Sequence, residues 1–104
     1  NRLWVGTWGN GISLGTISSN GTMTFQHYRQ DPFNEKALCH NSIRSIFEDK
    51  SGAIWIGTYS NGISRTMPHI TQFNHIQSNQ TNQLNANDVW SFTVDVKGDC
   101  WIGT

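Results

Sequence analysis

The chain has 104 residues and no formal net charge, with seven Lys and Arg against seven Asp and Glu and no local basic cluster. Nothing in it attracts a phosphate backbone or an anionic lipid surface, so nucleic-acid binding and membrane contact by this segment are excluded as expectations. Ten glycines and five tryptophans in a chain only 13% charged describe short strands joined by tight turns, and no apolar run is long enough to cross a membrane.

In chain order, the first pattern is Leu3-Trp4-Val5-Gly6-Thr7, which returns as Ile54-Trp55-Ile56-Gly57-Thr58 and as Cys100-Trp101-Ile102-Gly103-Thr104, 51 and then 46 residues apart. A chain that opens on one copy and stops on another reads as a fragment of a longer array. The repeat runs deeper than the pentapeptide. Trp8 to Ser13 matches Tyr59 to Ser64, Phe25 to Tyr28 matches Phe73 to Ile76, and Asn41 to Trp55 aligns without a gap on Asn87 to Trp101. Length differences fall only around Ser18 to Thr22 and between Tyr28 and Asn41, which marks those places as loops.

Between the loops lie segments rich in β-branched and aromatic residues, read as four strands per period. Strand A covers Ile43 to Glu48 and Val89 to Val94, and strand B is the pentapeptide. Strand C covers Gly11 to Ile17 and Gly62 to Met67, and strand D covers Met23 to Arg29 and Ile70 to Gln77. Asp49 to Gly52 and Asp95 to Gly98 carry Asp first and Gly last, as a type I turn prefers. Asn10-Gly11, Asn20-Gly21 and Asn61-Gly62 predict two-residue hairpin turns.

The fold predicted is therefore all-β: β-propeller blades, each a four-stranded antiparallel meander, over residues 1–104. One complete blade at 42–77 is flanked by strands B-C-D at 1–29 and strands A-B at 88–104. A β-sandwich has no reason to reproduce one pentapeptide and its turns three times. Side chains alternate along a strand, so the Trp and Gly of the pentapeptide share a face, and the Trp is expected to form the core between sheets, with Gly leaving room for the ring or for a neighbouring sheet.

Two cysteines, Cys39 and Cys100, are too few for a disulfide framework and lack metal-ligand spacing; Cys100 takes the place of Leu3 and Ile54 and is expected to be a small buried hydrophobe. His27 and His75 share a repeat position on strand D with no recurring carboxylate beside them, so they read as structural, and no metal or cofactor is expected. His40 and His69 have no partner suggested by spacing. Asp49 and Asp95 occupy turn positions where Asp caps its own backbone, and no acid-base pair, nucleophile or phosphate loop breaks the repeat. Asn20-Gly21-Thr22 and Asn79-Gln80-Thr81 fit the glycosylation sequon without further support.

The run Asn41 to Thr58, repeated at Asn87 to Thr104 around an Asp-x-x-Gly-x-x-Trp-Ile-Gly-Thr centre and followed by Asn61-Gly62-Ile63-Ser64, resembles the two-component regulator propeller repeat. Asn-Gly-Ile replaces the family's usual Gly-Gly-Leu after strand B. The resemblance implies the periplasmic sensor region of a bacterial membrane receptor. It also implies many further blades, a membrane helix and a fused histidine kinase or diguanylate cyclase.

Function is expected where residues vary inside the constant frame. The B-C and D-A loops of a meander share one face, which places Trp8 and Tyr59 beside the loops at Arg29 to His40 and Gln77 to Ala86. Arg44 and Trp90, equivalent to each other near the start of strand A, join them as candidate ligand-binding residues. Aromatics beside Arg suit carbohydrate, peptide or another small ligand. The competing expectation is that these rings pack between blades. Three functions follow: a non-catalytic sensor segment, a blade of a propeller enzyme acting on polysaccharide or a small molecule, and a purely structural blade. Its partners are the remaining blades or other copies of the fragment.

Overall fold

Asp-x-x-Gly turns and Thr-capped loops fold the chain back on itself at short intervals, so strands pair with sequence neighbours. The computed structural model describes residues 2–67, 72–78 and 84–104. Among these every regular element is a strand, in three antiparallel sheets. The first holds β1 (Arg2–Gly6), β2 (Ile12–Ile17) and β3 (Met23–Tyr28) in the order β1-β2-β3. The second holds β4 (Ile43–Glu48), β5 (Ile54–Thr58), β6 (Ile63–Thr66) and β7 (Asn74–Ile76) in the order β4-β5-β6-β7, and the third pairs β8 (Ser91–Val94) with β9 (Cys100–Gly103). The start of strand D expected at Ile70, His69 and the sequon at residues 79–81 lie outside the described residues.

The Asp of each turn does more than cap its backbone. Asp49 Oδ1 accepts hydrogen bonds from the amides of Ser51 (2.9 Å) and Ala53 (3.1 Å) and from the Ser51 hydroxyl, while Oδ2 accepts the Trp55 indole N–H at 2.8 Å. Asp95 repeats this with Lys97 and Asp99 amides and the Trp101 indole at 3.0 Å. The six-residue spacing from Asp to Trp thus lets one carboxylate close the turn and pin the ring. The Ser51 hydroxyl and then the Trp55 indole hold the Asp49 carboxyl down at about 2, and the Trp101 indole lowers that of Asp95. A depressed folded-state pKa contributes stability that is complete above the unfolded carboxyl value and lost as pH falls through the folded one. Thermal melts from pH 7 downward should hold level to about pH 4 and then fall toward the Asp49 value of about 2. Asp49→Asn should flatten that fall, and because the carboxyl is at the surface its amplitude should be small.

The hairpins differ from the two-residue turns expected. Ser18 N–H donates to Thr22 O at 2.9 Å and Gly21 N–H to Ser18 O at 3.0 Å, a type I turn followed by Gly21 at φ 87°. The β1-β2 and β5-β6 loops are closed by the pentapeptide threonine: the amide and hydroxyl of Thr7 both donate to Gly11 O, and those of Thr58 to Gly62 O. An Asn then joins successive sheets. Asn41 O accepts the Gly11 amide at 2.7 Å and its Oδ1 accepts the Gln30 amide at 2.7 Å; Asn87 does the same for Gly62 and Ser78. Beside it, the Ile43 amide donates to Thr7 O and the Val89 amide to Thr58 O.

The core lies between the first two sheets and is made by Ile12, Leu38, Ile54, Ile56 and Phe73, with Trp4, Tyr28, Ile43 and Ile46 packed around it. This corrects the expectation for the tryptophan. Trp55 is only half-buried, wedged by Arg65 at 5.3 Å and edge-on to Phe92 at 6.3 Å, while Trp101 is 63% exposed. The isoleucines on the opposite face of β5 are the residues that reach the preceding sheet, where packing is complete. Of the two roles expected for the glycine, the structure shows the second: Gly57 makes room for Val89 of the next sheet, as Gly6 does for Ile43. Cys100 is a second correction. It is exposed rather than buried, because β9 has no third strand beside it among the described residues to cover the position. Both thiols are free, and burial raises the pKa of Cys39.

Candidate functional site

Arg44 is placed by an irregularity. The β4-β5 register steps from Ile43↔Thr58 to Ser45↔Gly57, so Arg44 is the extra residue of a β-bulge, a device that re-aims one side chain out of the ladder. Its guanidinium carbon lies 3.6 Å from the centroid of the Trp90 ring, 4.8 Å from Tyr59 and 5.4 Å from Trp8. Trp8 and Tyr59 meet edge to face at 5.1 Å. All four residues singled out by the sequence therefore converge, drawn one each from the first loop, β4, the β5-β6 loop and the start of the third sheet. The rings are not packed away between sheets: Trp8 is 63%, Tyr59 43% and Trp90 57% exposed.

Two residues that sequence reasoning missed complete the cluster. Asp88 Oδ1 lies 2.7 Å from Arg44 Nε, an ion pair outside the angular range of a good hydrogen bond. The Arg44 side chain is 17% exposed, so its charge is compensated locally and the cation-π contacts are worth about 1–2 kcal/mol together with the rings' desolvation. A signal for Asp88 existed: it stands where the other copy has Ser42, two positions before the place where Arg44 in one copy answers to Trp90 in the other. Two departures from the repeat with opposite charge were complementary. The second missed residue, His40, sits 6.3 Å from Tyr59 and accepts the Ser42 amide on Nδ1 at 2.9 Å.

Arg29 Nη2 donates to Asn10 Oδ1, and Gln77 Nε2 donates to Asn61 O at 3.0 Å. His27 and His75 are used structurally: His27 Nδ1 pairs with Ser13 Oγ at 2.7 Å, and His75 Nε2 donates to Ala37 O at 2.7 Å. Among the described residues no three His, Cys, Asp or Glu side chains converge as a metal site. The arrangement offers flat apolar ring faces with a guanidinium between them, which can stack on a ligand and orient it.

Residues 37–60 match the family model described as two component regulator propeller. The resemblance drawn from Asn41 to Thr58 is thereby confirmed, and the matched stretch contains Arg44 and Tyr59 as well as the Asp49-Trp55 turn. Solved structures agree on the architecture. The extracellular domain of a putative hybrid two component system from B. thetaiotaomicron superposes with a TM-score of 0.82 at 22% identity, covering 98% of this chain and 14% of that one. A second such domain from the same organism gives a TM-score of 0.70 at 29% identity, covering 99% of this chain and 14% of that one. The chain therefore spans about a seventh of the length of these two extracellular domains. No curated protein matches it.

Proposed function

We propose that the chain is a non-catalytic recognition segment of a propeller sensor on the extracytoplasmic side of a bacterial hybrid two-component regulator. In that setting a fused histidine kinase or diguanylate cyclase reads the orientation of the propeller. The observation that carries the reading is the convergence of Trp8, Tyr59, Trp90 and Arg44 on one loop face with their rings open to solvent. The ligand class that fits is carbohydrate, because a sugar ring presents C–H groups to an aromatic face and hydroxyls to the polar groups around it. With Arg44 already paired to Asp88, a neutral saccharide is favoured over one that must break the ion pair.

The test is a fluorescence titration with a panel of soluble oligosaccharides. Trp8→Ala and Trp90→Ala should each weaken a hit about tenfold or more, as loss of a stacking anchor does, with melting temperatures within a few degrees of the parent. If neither variant changes the affinity of any binding sugar, the face is not the site.

One observation favours a second reading of the same residues. Arg44 touches side chains from all three sheets, so the cluster also clasps them together. Under that reading alone, Arg44→Met would lower the melting temperature as much as it lowers affinity; under the sensor reading the ring variants separate the two effects.

A further inference from the structure

The polar half of the aromatic cluster is more selective than its rings. Arg44 lies flat on Trp90: with the guanidinium carbon 3.6 Å from the ring centroid, a tilted plane would drive one of its nitrogens into the ring. That face of the cation is closed to a ligand. The Nε edge is closed as well, because Asp88 Oδ1 stands 2.7 Å from Nε and both atoms are buried. What remains is the Nη end. Four of the five N–H donors of an arginine sit there, and among the described residues none of them meets an acceptor, while neither Nη nitrogen is buried. An arginine that only clasps strands together uses these donors on carbonyl oxygens. Arg44 leaves them unused beside three rings that are open to solvent.

The two Nη nitrogens form a planar fork, so the group they hold must bring two oxygens side by side in the guanidinium plane. On a ring that stacks against Trp8 or Tyr59, that group is either a carboxylate or a pair of hydroxyls on adjacent carbons. Asp88 decides between them. Its carboxylate already pairs with the cation, and its other oxygen is open to solvent, so a second carboxylate drawn to the same guanidinium meets like charge in a partly desolvated place. A hydroxyl pair brings no charge and accepts the same N–H bonds. The fork is also set before a ligand arrives. Its side chain is 17% exposed and is held by Trp90 on one face and by Asp88 on one edge, which reduces the ordering cost of binding.

We infer that Arg44 is the specificity-determining residue of this face, reading a pair of hydroxyls on adjacent ring carbons through its Nη fork, and that Asp88 is the positioning residue that aims the fork and turns away carboxylated rings. The inference rests on the recognition role proposed above and adds to it which part of the ligand is read. The rings supply stacking to any flat or saturated ring; the fork sorts among those rings by the placement of their oxygens.

The experiment titrates the whole 104-residue chain at pH 7 with three small rings: trans-1,2-cyclohexanediol, trans-1,4-cyclohexanediol and cyclohexanecarboxylate. Binding is followed by the NMR shifts of the Arg44 Nε–H and of the Trp8, Tyr59 and Trp90 side chains. The two diols share composition and apolar ring and differ only in whether the hydroxyls are adjacent. The 1,2-diol should bind about tenfold tighter than either other probe, the size of one hydrogen bond to a charged donor. Arg44→Lys keeps the charge, loses the fork and should erase the preference between the diols. Asp88→Asn should raise the affinity for the carboxylate above that for the 1,2-diol, a reversal of selectivity that a merely structural Asp88 would not produce. Equal affinities of the two diols in the parent chain, with the ring signals shifting, would overturn the inference and leave the recognition role standing. A carboxylate that binds the parent tighter than the 1,2-diol would do the same. If none of the three probes shifts Trp8, Tyr59 or Trp90, both readings fall. Should a variant not fold, the comparison of the three probes on the parent chain decides.

Discussion

Ile56→Ala is expected to cost about 3–4 kcal/mol, within the range for a large aliphatic residue removed from a core, and to unfold the chain at temperatures where the parent is native. Ile56 is fully buried and lies mid-strand in β5, paired on one side with Ile46 and on the other with Ser64. Its neighbours Ile12, Ile54 and Phe73 belong to both facing sheets, and strands fixed on two sides leave little freedom to collapse into the space vacated. For a small domain with a total stability of about 5–15 kcal/mol, such a loss is a large fraction. Trp55→Ala should cost less, about 2–3 kcal/mol, since the ring is half-buried and held partly by Asp49. Trp101→Ala should cost about 1 kcal/mol or less because that ring is largely exposed. Urea titrations of the three variants check the order. A Trp55 variant less stable than the Ile56 variant would return the core to the tryptophan face.

That order is where sequence reasoning and structure part company. Alternation along Ile54 to Thr58 correctly separates Trp55 and Gly57 from Ile54 and Ile56, because the period of a strand is local. Which of the two faces is the deeper depends on what the next sheet presents. Here the preceding sheet offers Ile12 and Leu14 and the β3-β4 connector offers Leu38, all buried, while the following sheet offers chiefly Phe92 and Val89. Strand positions were legible for the same local reason: β4 and β5 fall at the expected Ile43 and Ile54, set by the Asp49-Gly52 turn between them. The bulge at Arg44 was not legible, since it arises from the pairing register of β4 against β5. Yet Arg44, Trp90, Trp8 and Tyr59 could be grouped in advance, because a meander puts its alternate loops at one end whatever the register. The connector at Lys36 to His40 was read only as a variable loop; its hydrogen bonds go to residues 22 to 38 positions away, beyond any local pattern.

Gly57→Ala is expected to separate the second and third sheets at a cost of about 1–3 kcal/mol, typical of forcing an extra methyl into a packed site. A Cβ at Gly57 would collide with Ser45 Oγ and sit 2.7 Å from Val89 Cγ1. The serine can turn away, since among the described residues its hydroxyl has no hydrogen-bond partner to lose. Val89 cannot: it is fully buried, its χ1 is stiff, and its amide is bonded to Thr58 O at 2.9 Å. The strain is therefore released by moving the backbone at Val89, which carries Trp90 and Asp88 with it. Both contact Arg44, at 3.6 Å and 2.7 Å, so the same methyl should loosen the aromatic cluster and raise Trp90 exposure along with lowering the melting temperature. Adding Val89→Ala removes the colliding methyl and should recover part of the loss, a positive coupling that a double-mutant cycle reads directly. Simple strand propensity predicts the opposite sign, since alanine suits a strand better than glycine; additive losses in the cycle would mean that Gly57 is not the point where the two sheets meet.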